Sequence, residues 1–246
     1  MRKWCWYWLF VACWANPLIS DSHADAADQP ASSAASGKTR SAPEVVEVRE
    51  FEVRVDNKPA GNHQLTIKTS GTRQQVEFQT DVKLDFIVYA YVYKLRGTEN
   101  WRDGKLEHSD IRSEDGGKKR ALELKTDGAI QQISFNGKSI PSNLPSPCTM
   151  TTAYWRLPAT DRRATPLPIV DVDTGATSQV SMTTVGPATV TCAGRTVACQ
   201  HFKIDGPSPA ELWFDDEQRM VRQKSIESGH SMELRLKRIQ LPKTDR

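Results

Sequence analysis

The chain lacks the short motifs by which most enzymes and metal proteins can be recognised. No His-x-His, His-Glu-x-x-His or Cys-x-x-Cys spacing occurs, and His63, His108, His201 and His230 stand singly, so no common zinc arrangement is expected. There is no Gly-x-Ser-x-Gly elbow, no Walker-type loop and no dinucleotide fingerprint, so no cofactor is predicted. A Ser-His-Asp set assembled from distant positions remains open. Charge of one sign is also missing: 33 Lys+Arg against 30 Asp+Glu leave a net +3, with acids and bases interspersed. Without a basic stripe or polybasic block, neither nucleic acid nor an anionic membrane surface is an expected partner. Long apolar runs are confined to one place, Trp4 to Trp14. That run is shorter than the roughly 20 residues a bilayer span requires.

What stands around that run is a secretory signal. Arg2 and Lys3 precede it, Asn16-Pro17 breaks it, and Ala24-Asp25-Ala26 supplies a small-residue cleavage site. The pattern predicts export to the periplasm or beyond, with cleavage after Ala26 and no transmembrane span after processing. Lipid attachment at Cys13, in Val11-Ala12-Cys13, is the competing reading. Residues 27–46 read as a disordered linker, Ala/Ser-rich and without large apolar side chains up to Pro43. Residues 47–241 form the domain, of ordinary size at about 200 residues, and 242–246 a short tail.

Three cysteines follow the signal: Cys148, Cys192 and Cys199. If Ala193-Gly194 is a hairpin turn, Cys192 faces Arg195 and Cys199 faces Ala188. The two thiols then stand near 13 Å apart along the strands, beyond the roughly 7 Å Cα separation of a disulfide. A bridge from Cys148 to either one, and buried free thiols, both stay open.

From Glu47 onward the hydrophobic period is two. Phe51, Val53 and Val55 alternate with charged neighbours, and Leu65 and Ile67 follow. Val76 to Val92 then alternates for so long that one strand with a bend near 83–86 is expected. Asp103-Gly104, Gly116-Gly117, Asp127-Gly128 and Asn136-Gly137 each interrupt β-type runs and predict turns. Later strands are expected to pair as 179–185 with 189–191, 196–204 with 210–214, and 220–226 with 231–239. Only 147–157 lacks alternation and has room for a short helix. The fold class is therefore mainly β: a single curved antiparallel sheet, a half-barrel or open-barrel meander, with at most one or two short helices.

Four strings carry a family resemblance. They are Phe51-x-Val53-x-Val55 with Gly61, Glu99-x-Trp101-x-Asp103-Gly104-x-Leu106, Ala153-Tyr154-Trp155, and Leu212-Trp213-Phe214-Asp215. Over about residues 48–240 the chain resembles an uncharacterised family of exported bacterial proteins, a domain of unknown function. That resemblance implies a strongly curved sheet, similar in outline to the outer-membrane lipoprotein carriers, and no assigned reaction.

Candidate chemistry is sparse. Tyr89, Tyr91 and Tyr93 either fill a second core or line a concave face for an apolar ligand. Trp101, Trp155 and Trp213 are the only tryptophans after the signal. Glu99 lies two residues from Trp101 on the same strand face, either as a rim ion-pair partner or, if buried, as an acid of raised pKa. Cys148 as a nucleophile lacks a positive neighbour, since Pro147 and Thr149 flank it. The expected role is non-catalytic binding of an apolar or lipid-like ligand on the concave face. Tyr89, Tyr91, Tyr93, Trp101, Trp155 and Trp213 would line it, Glu99 would be its polar handle, and the 142–170 segment would be its lid. Two alternatives stand beside it: a protein-interaction module of an envelope assembly, and a hydrolase of envelope lipid or glycan working through Glu99 or Cys148.

Overall fold

Alternating side chains become strands here almost without exception. The computed structural model describes residues 44–85, 90–142, 144, 148, 150–160, 163, 166–192, 194–227 and 229–241. The signal-peptide, Cys13, Tyr89 and 242–246 tail expectations and the linker up to residue 43 lie outside the described residues, whereas Val45 and Val46, expected in the linker, belong to the first strand. The strands are β1 Val45–Val55, β2 Lys58–Ser70, β3 Arg73–Asp85, β4 Ala90–Arg102, β5 Lys105–Asp115, β6 Lys118–Asp127, β7 Ile130–Phe135 and β8 Lys138–Ile140. They continue as β9 Met150–Thr151, β10 Leu167–Val170, β11 Thr177–Cys192, β12 Arg195–Asp205, β13 Ala210–Phe214, β14 Met220–Glu227 and β15 His230–Gln240. All join one sheet in the order β8-β7-β6-β5-β4-β3-β2-β1-β15-β14-β13-β12-β11-β10-β9. Every pairing is antiparallel except the short β9–β10 contact. The fold class is the expected one, a curved meander in which the first and last strands are neighbours.

Because the strands run up and down, alternate turns share an end. One rim holds the ends Val45 and Gln240. The opposite, distal rim holds the β1–β2, β3–β4, β5–β6, β10–β11, β12–β13 and β14–β15 connections. The turn residues do what their chemistry allows. Asp103-Gly104 and Asn136-Gly137 both take positive φ at their two central positions, as a twisted two-residue hairpin demands. Asp56-Asn57 does the same without glycine.

Two expectations about strand boundaries are corrected. Residues 76–92 are not one bent strand: Asp85 pairs with Ala90 and Val82 with Tyr93, so the chain has reversed between β3 and β4. Its apolar residues give no turn signal, which is why alternation alone ran straight through. Conversely, 179–185 and 189–191 are parts of the single strand β11, not partners. Val185-Gly186-Pro187 looks like a turn but is a bulge, where register shifts between Thr184 and Gly186 and Gly186 takes φ 134°. The 147–157 stretch holds β9 and a turn among its described residues, not a helix.

The sheet curls until its two ends overlap. Gly175, in the β10–β11 turn, sits so close to Leu122, Ile140 and Phe135 that a Cβ there would touch all three. Gly97 makes a similar approach inside the sheet. Its bare Cα lets the Phe78 ring lie across it, where a Cβ would stand 2.4 Å from the ring. The core runs continuously from Phe51 and Leu65 through Trp101, Leu122 and Ile133 to Leu167, Leu212 and Phe214. On its inner face lie the chain's own Met150, Trp155, Leu157, Leu167, Ile169 and Val172, all part of that core.

Candidate functional site

The expected handle, Glu99, is sealed. It is 0 % exposed, on β4, facing the segment that follows β9. One carboxylate oxygen accepts from the Trp101 indole N–H at 2.9 Å and from the Trp155 indole N–H at 3.0 Å. The other accepts from the Thr151 hydroxyl at 2.7 Å. Burial pushes the Glu99 pKa up, against the pull of these three donors and of the Arg156 charge. The Arg156 guanidinium lies 4.3 Å from the Trp101 ring centroid and 5.1 Å from that of Trp155, and it donates to the Gly104 carbonyl at 2.9 Å. The two indoles meet edge to face at 5.9 Å. Arg49, itself buried, donates to the Trp155 carbonyl at 2.8 Å. Glu99 is thus neither a rim ion-pair partner nor an open acid. It is a clamp that fastens the inner segment to the barrel wall, with its acceptor sites occupied and no route to water.

Cys148 is equally closed. It is fully buried, its thiol donates to the Met150 carbonyl, and burial pushes its pKa up to about 12, the opposite of what a nucleophile needs. Cys192 faces Arg195 and Cys199 faces Ala188, the expected register, and all three thiols are free. Trp213 stands apart from the other two tryptophans. Alternation along β13 turns it away from Leu212, and it stacks on His201 at 4.3 Å with the Arg222 guanidinium 4.8 Å away.

Tyr91 and Tyr93 lie elsewhere again, toward the distal rim. Since Val82 pairs with Tyr93 and Leu84 with Tyr91, these tyrosines share the face of the β3 core residues. Both are partly exposed and end on carboxylates: the Tyr91 hydroxyl donates to Asp115 at 2.6 Å and the Tyr93 hydroxyl to Asp173 at 2.7 Å. Asp115 also holds Arg120 at 2.8 Å. Asp171 closes its own turn, accepting from the Asp173 and Thr174 amides at 2.9 and 3.0 Å and from the Ser208 hydroxyl at 3.2 Å. Glu227, at the end of β14, is exposed and accepts from Ser225 at 2.8 Å. Even so, the surrounding walls and then the charges of Asp171 and Asp115 push its pKa up. Burial likewise raises Asp173 to about 6, reinforced by Asp171 and Glu227. The phenols of Tyr91, Tyr93 and Tyr154 are all held above their ordinary value, by burial first and then by this carboxylate group.

The structure therefore separates the expected site residues into a closed set (Glu99, Trp101, Trp155), an outlying Trp213, and an open pair (Tyr91, Tyr93). Asp115, Asp171, Asp173 and Glu227 are additional residues of this end, and the buried Tyr154 lies within the field of Asp171 and Glu227. Their signal in the sequence is positional: Asp115, Asp171, Asp173 and Glu227 border turns that an up-and-down meander places at one rim.

Comparisons with known proteins agree on the fold and assign no activity. The family described as Domain of unknown function (DUF6134) matches residues 51–237. A solved structure from Brucella abortus, a beta-barrel-like protein of the domain of unknown function DUF1849, is similar with a TM-score of 0.58 at 10 % identity, over 80 % of this chain and 98 % of that one. No curated protein matches.

Proposed function

The chain belongs to the DUF6134 family, whose function is unknown, and on that premise we propose that it is a non-catalytic binding protein of the cell envelope. Its ligand would be small and would enter at the tyrosine–carboxylate end of a plugged barrel. The observation that carries this reading is the contrast between two acidic places: Glu99 is sealed with every oxygen used, whereas Glu227 stays in reach of solvent within a wall of tyrosines and carboxylates. The basic and apolar run of residues 2–14 and the Ala24-Asp25-Ala26 site support export. Among the described residues, no helix is long and apolar enough to cross a membrane.

An apolar ligand on the concave face would first have to displace the inner segment. Met150, Tyr154, Trp155, Leu157, Leu167 and Ile169 are all buried there. Exposing six such side chains costs on the order of 12 kcal/mol at about 2 kcal/mol each, comparable to the whole stability of an ordinary domain. That cost argues for the rim over the interior. Edge-strand docking has little to work with, since β8 spans three residues and β9 two, both of them buried in the latter.

Native mass spectrometry of protein purified from its own envelope tests the proposal. A small co-purifying species, present on the wild type and absent from an Asp173→Asn/Glu227→Gln variant of unchanged Tm, is the expected result. A stoichiometric protein partner, or a ligand indifferent to these substitutions, would overturn it.

A further inference from the structure

The polar groups at the distal rim do not balance. Asp115 has both Tyr91 and Arg120, and Asp171 has two backbone amides and Ser208. Asp173 has the Tyr93 hydroxyl and Glu227 has the Ser225 hydroxyl, each a neutral partner. Among the described residues Arg120 is the one cation bonded to any of these four carboxylates, while Lys118 stands opposite Asp115 and His230 opposite Glu227 in the register without a bond to them. A fifth group makes the imbalance directional. Tyr154 is 3 % exposed, yet its hydroxyl has no hydrogen-bond partner, and the charges it senses are those of Asp171 and Glu227. Its backbone is held at φ 47°, in the left-handed region that non-glycine residues rarely adopt. Buried hydroxyls are normally satisfied. This one is buried, within the field of Asp171 and Glu227, and its acceptor oxygen is unfilled.

Resting on the proposed binding role, we infer that the distal rim takes an organic cation, a primary or quaternary ammonium whose alkyl part lies against tyrosine rings. The chemistry favours this class on three counts. An anion would be repelled by the excess of carboxylates. A divalent metal needs several oxygens converging at about 2.3–2.6 Å, and no group of three His, Cys, Asp or Glu has that spacing among the described residues. The carboxylates are instead spread over β5, the β10–β11 turn and β14, with Tyr91, Tyr93 and Tyr154 between them. Aromatic faces beside carboxylates suit a bulky, weakly hydrated cation better than a compact metal ion. For a primary amine, Tyr154 receives an N–H donor and its orphaned oxygen is satisfied.

Isothermal titration of the full processed protein with spermidine and with tetramethylammonium, and separately with calcium chloride, tests this. Saturable binding of at least one amine is expected, weakened by about tenfold or more in Glu227→Gln. Tyr154→Phe should weaken spermidine by about fivefold or more and leave tetramethylammonium, which has neither N–H nor O–H, unchanged. Glu227→Gln should keep the wild-type Tm, and Tyr154→Phe should match or exceed it, because it removes a buried unpaired hydroxyl. Binding of calcium alone, abolished by Glu227→Gln, would overturn the ligand class and leave the rim as the binding place. Amine binding unchanged in Glu227→Gln and Asp173→Asn would overturn the site and the proposed role together. No saturable heat from either amine would overturn the inference, and the envelope-purified ligand would then decide the role separately.

Discussion

Replacing Glu99 should separate hydrogen bonding from charge in the clamp. In Glu99→Ala the Trp101 and Trp155 indole N–H groups lose their common acceptor at 2.9 and 3.0 Å, and both rings are buried. A buried donor left unpaired costs about 1–3 kcal/mol, so two cost roughly 2–6 kcal/mol before any cavity is counted. The buried Thr151 hydroxyl loses its acceptor as well and adds to that cost. In Glu99→Gln the amide oxygen can take both indoles and the amide N–H₂ can donate to the Thr151 oxygen, so the loss should stay under about 1 kcal/mol. Urea unfolding of both variants, with midpoints and slopes compared, measures the difference. The pH dependence supplies a second, signed test. Burial holds Glu99 above the ordinary carboxylate range, so the folded state retains its proton longer than the unfolded one. The wild type should then lose stability relative to Glu99→Gln as pH rises from the unfolded pKa of Glu99 through its raised folded value. If Glu99→Gln proved as damaging as Glu99→Ala, the charge and not the acceptor geometry would be holding the segment. If Glu99→Ala cost under about 1 kcal/mol, the clamp would not matter at all.

Other consequences follow from single residues. His63 is buried against Phe51 and bonded to Thr80 at 2.8 Å, and burial lowers its pKa to about 4. Its contribution is present above the unfolded value near 6.5 and lost as pH falls toward 4, by up to about 3 kcal/mol. A His63→Phe variant should show a flatter stability profile over that window in acid titration followed by circular dichroism. Gly97→Ala would drive a methyl into Phe78 and Ile111, at a cost of about 1–3 kcal/mol, read as a lowered Tm; an unchanged Tm would contradict the packing described. Asp173 keeps its proton up to about pH 6, so spermidine affinity should rise with pH through that value. Titrations on either side of pH 6 check the direction, and Asp173→Asn should remove the step.

Much of the fold could be read from residue order. Phe51-x-Val53-x-Val55, the Asp-Gly and Asn-Gly turns and the Cys192–Arg195 register all behave as period two and turn chemistry require. The two boundary errors share one cause: local signals describe side chains, whereas reversal of the chain depends on what pairs with what. Apolar residues carried the apparent strand past the β3–β4 reversal, and Gly186-Pro187 imitated a turn inside β11. Each error changes which rim the intervening residues occupy. That is why the carboxylates at 115, 171 and 173 were not grouped with Tyr91 and Tyr93. Glu99 was identifiable as a neighbour of Trp101, but its burial was not, because that depends on Thr151 and Trp155, more than fifty residues away. Tyr154 lies inside the Ala153-Tyr154-Trp155 string, where nothing local marks its hydroxyl as unpaired.

Two-dimensional NMR of the isotopically labelled protein during a spermidine titration addresses the central claim, that ligand chemistry belongs to the distal rim while the inner face is closed by its own chain. The account predicts shifts at the backbone amides of Tyr93, Tyr154, Asp173 and Glu227, with the Trp101 and Trp155 indole N–H signals unmoved and slow to exchange with solvent. Shifts centred on those two indoles, or their rapid exchange in the free protein, would contradict it.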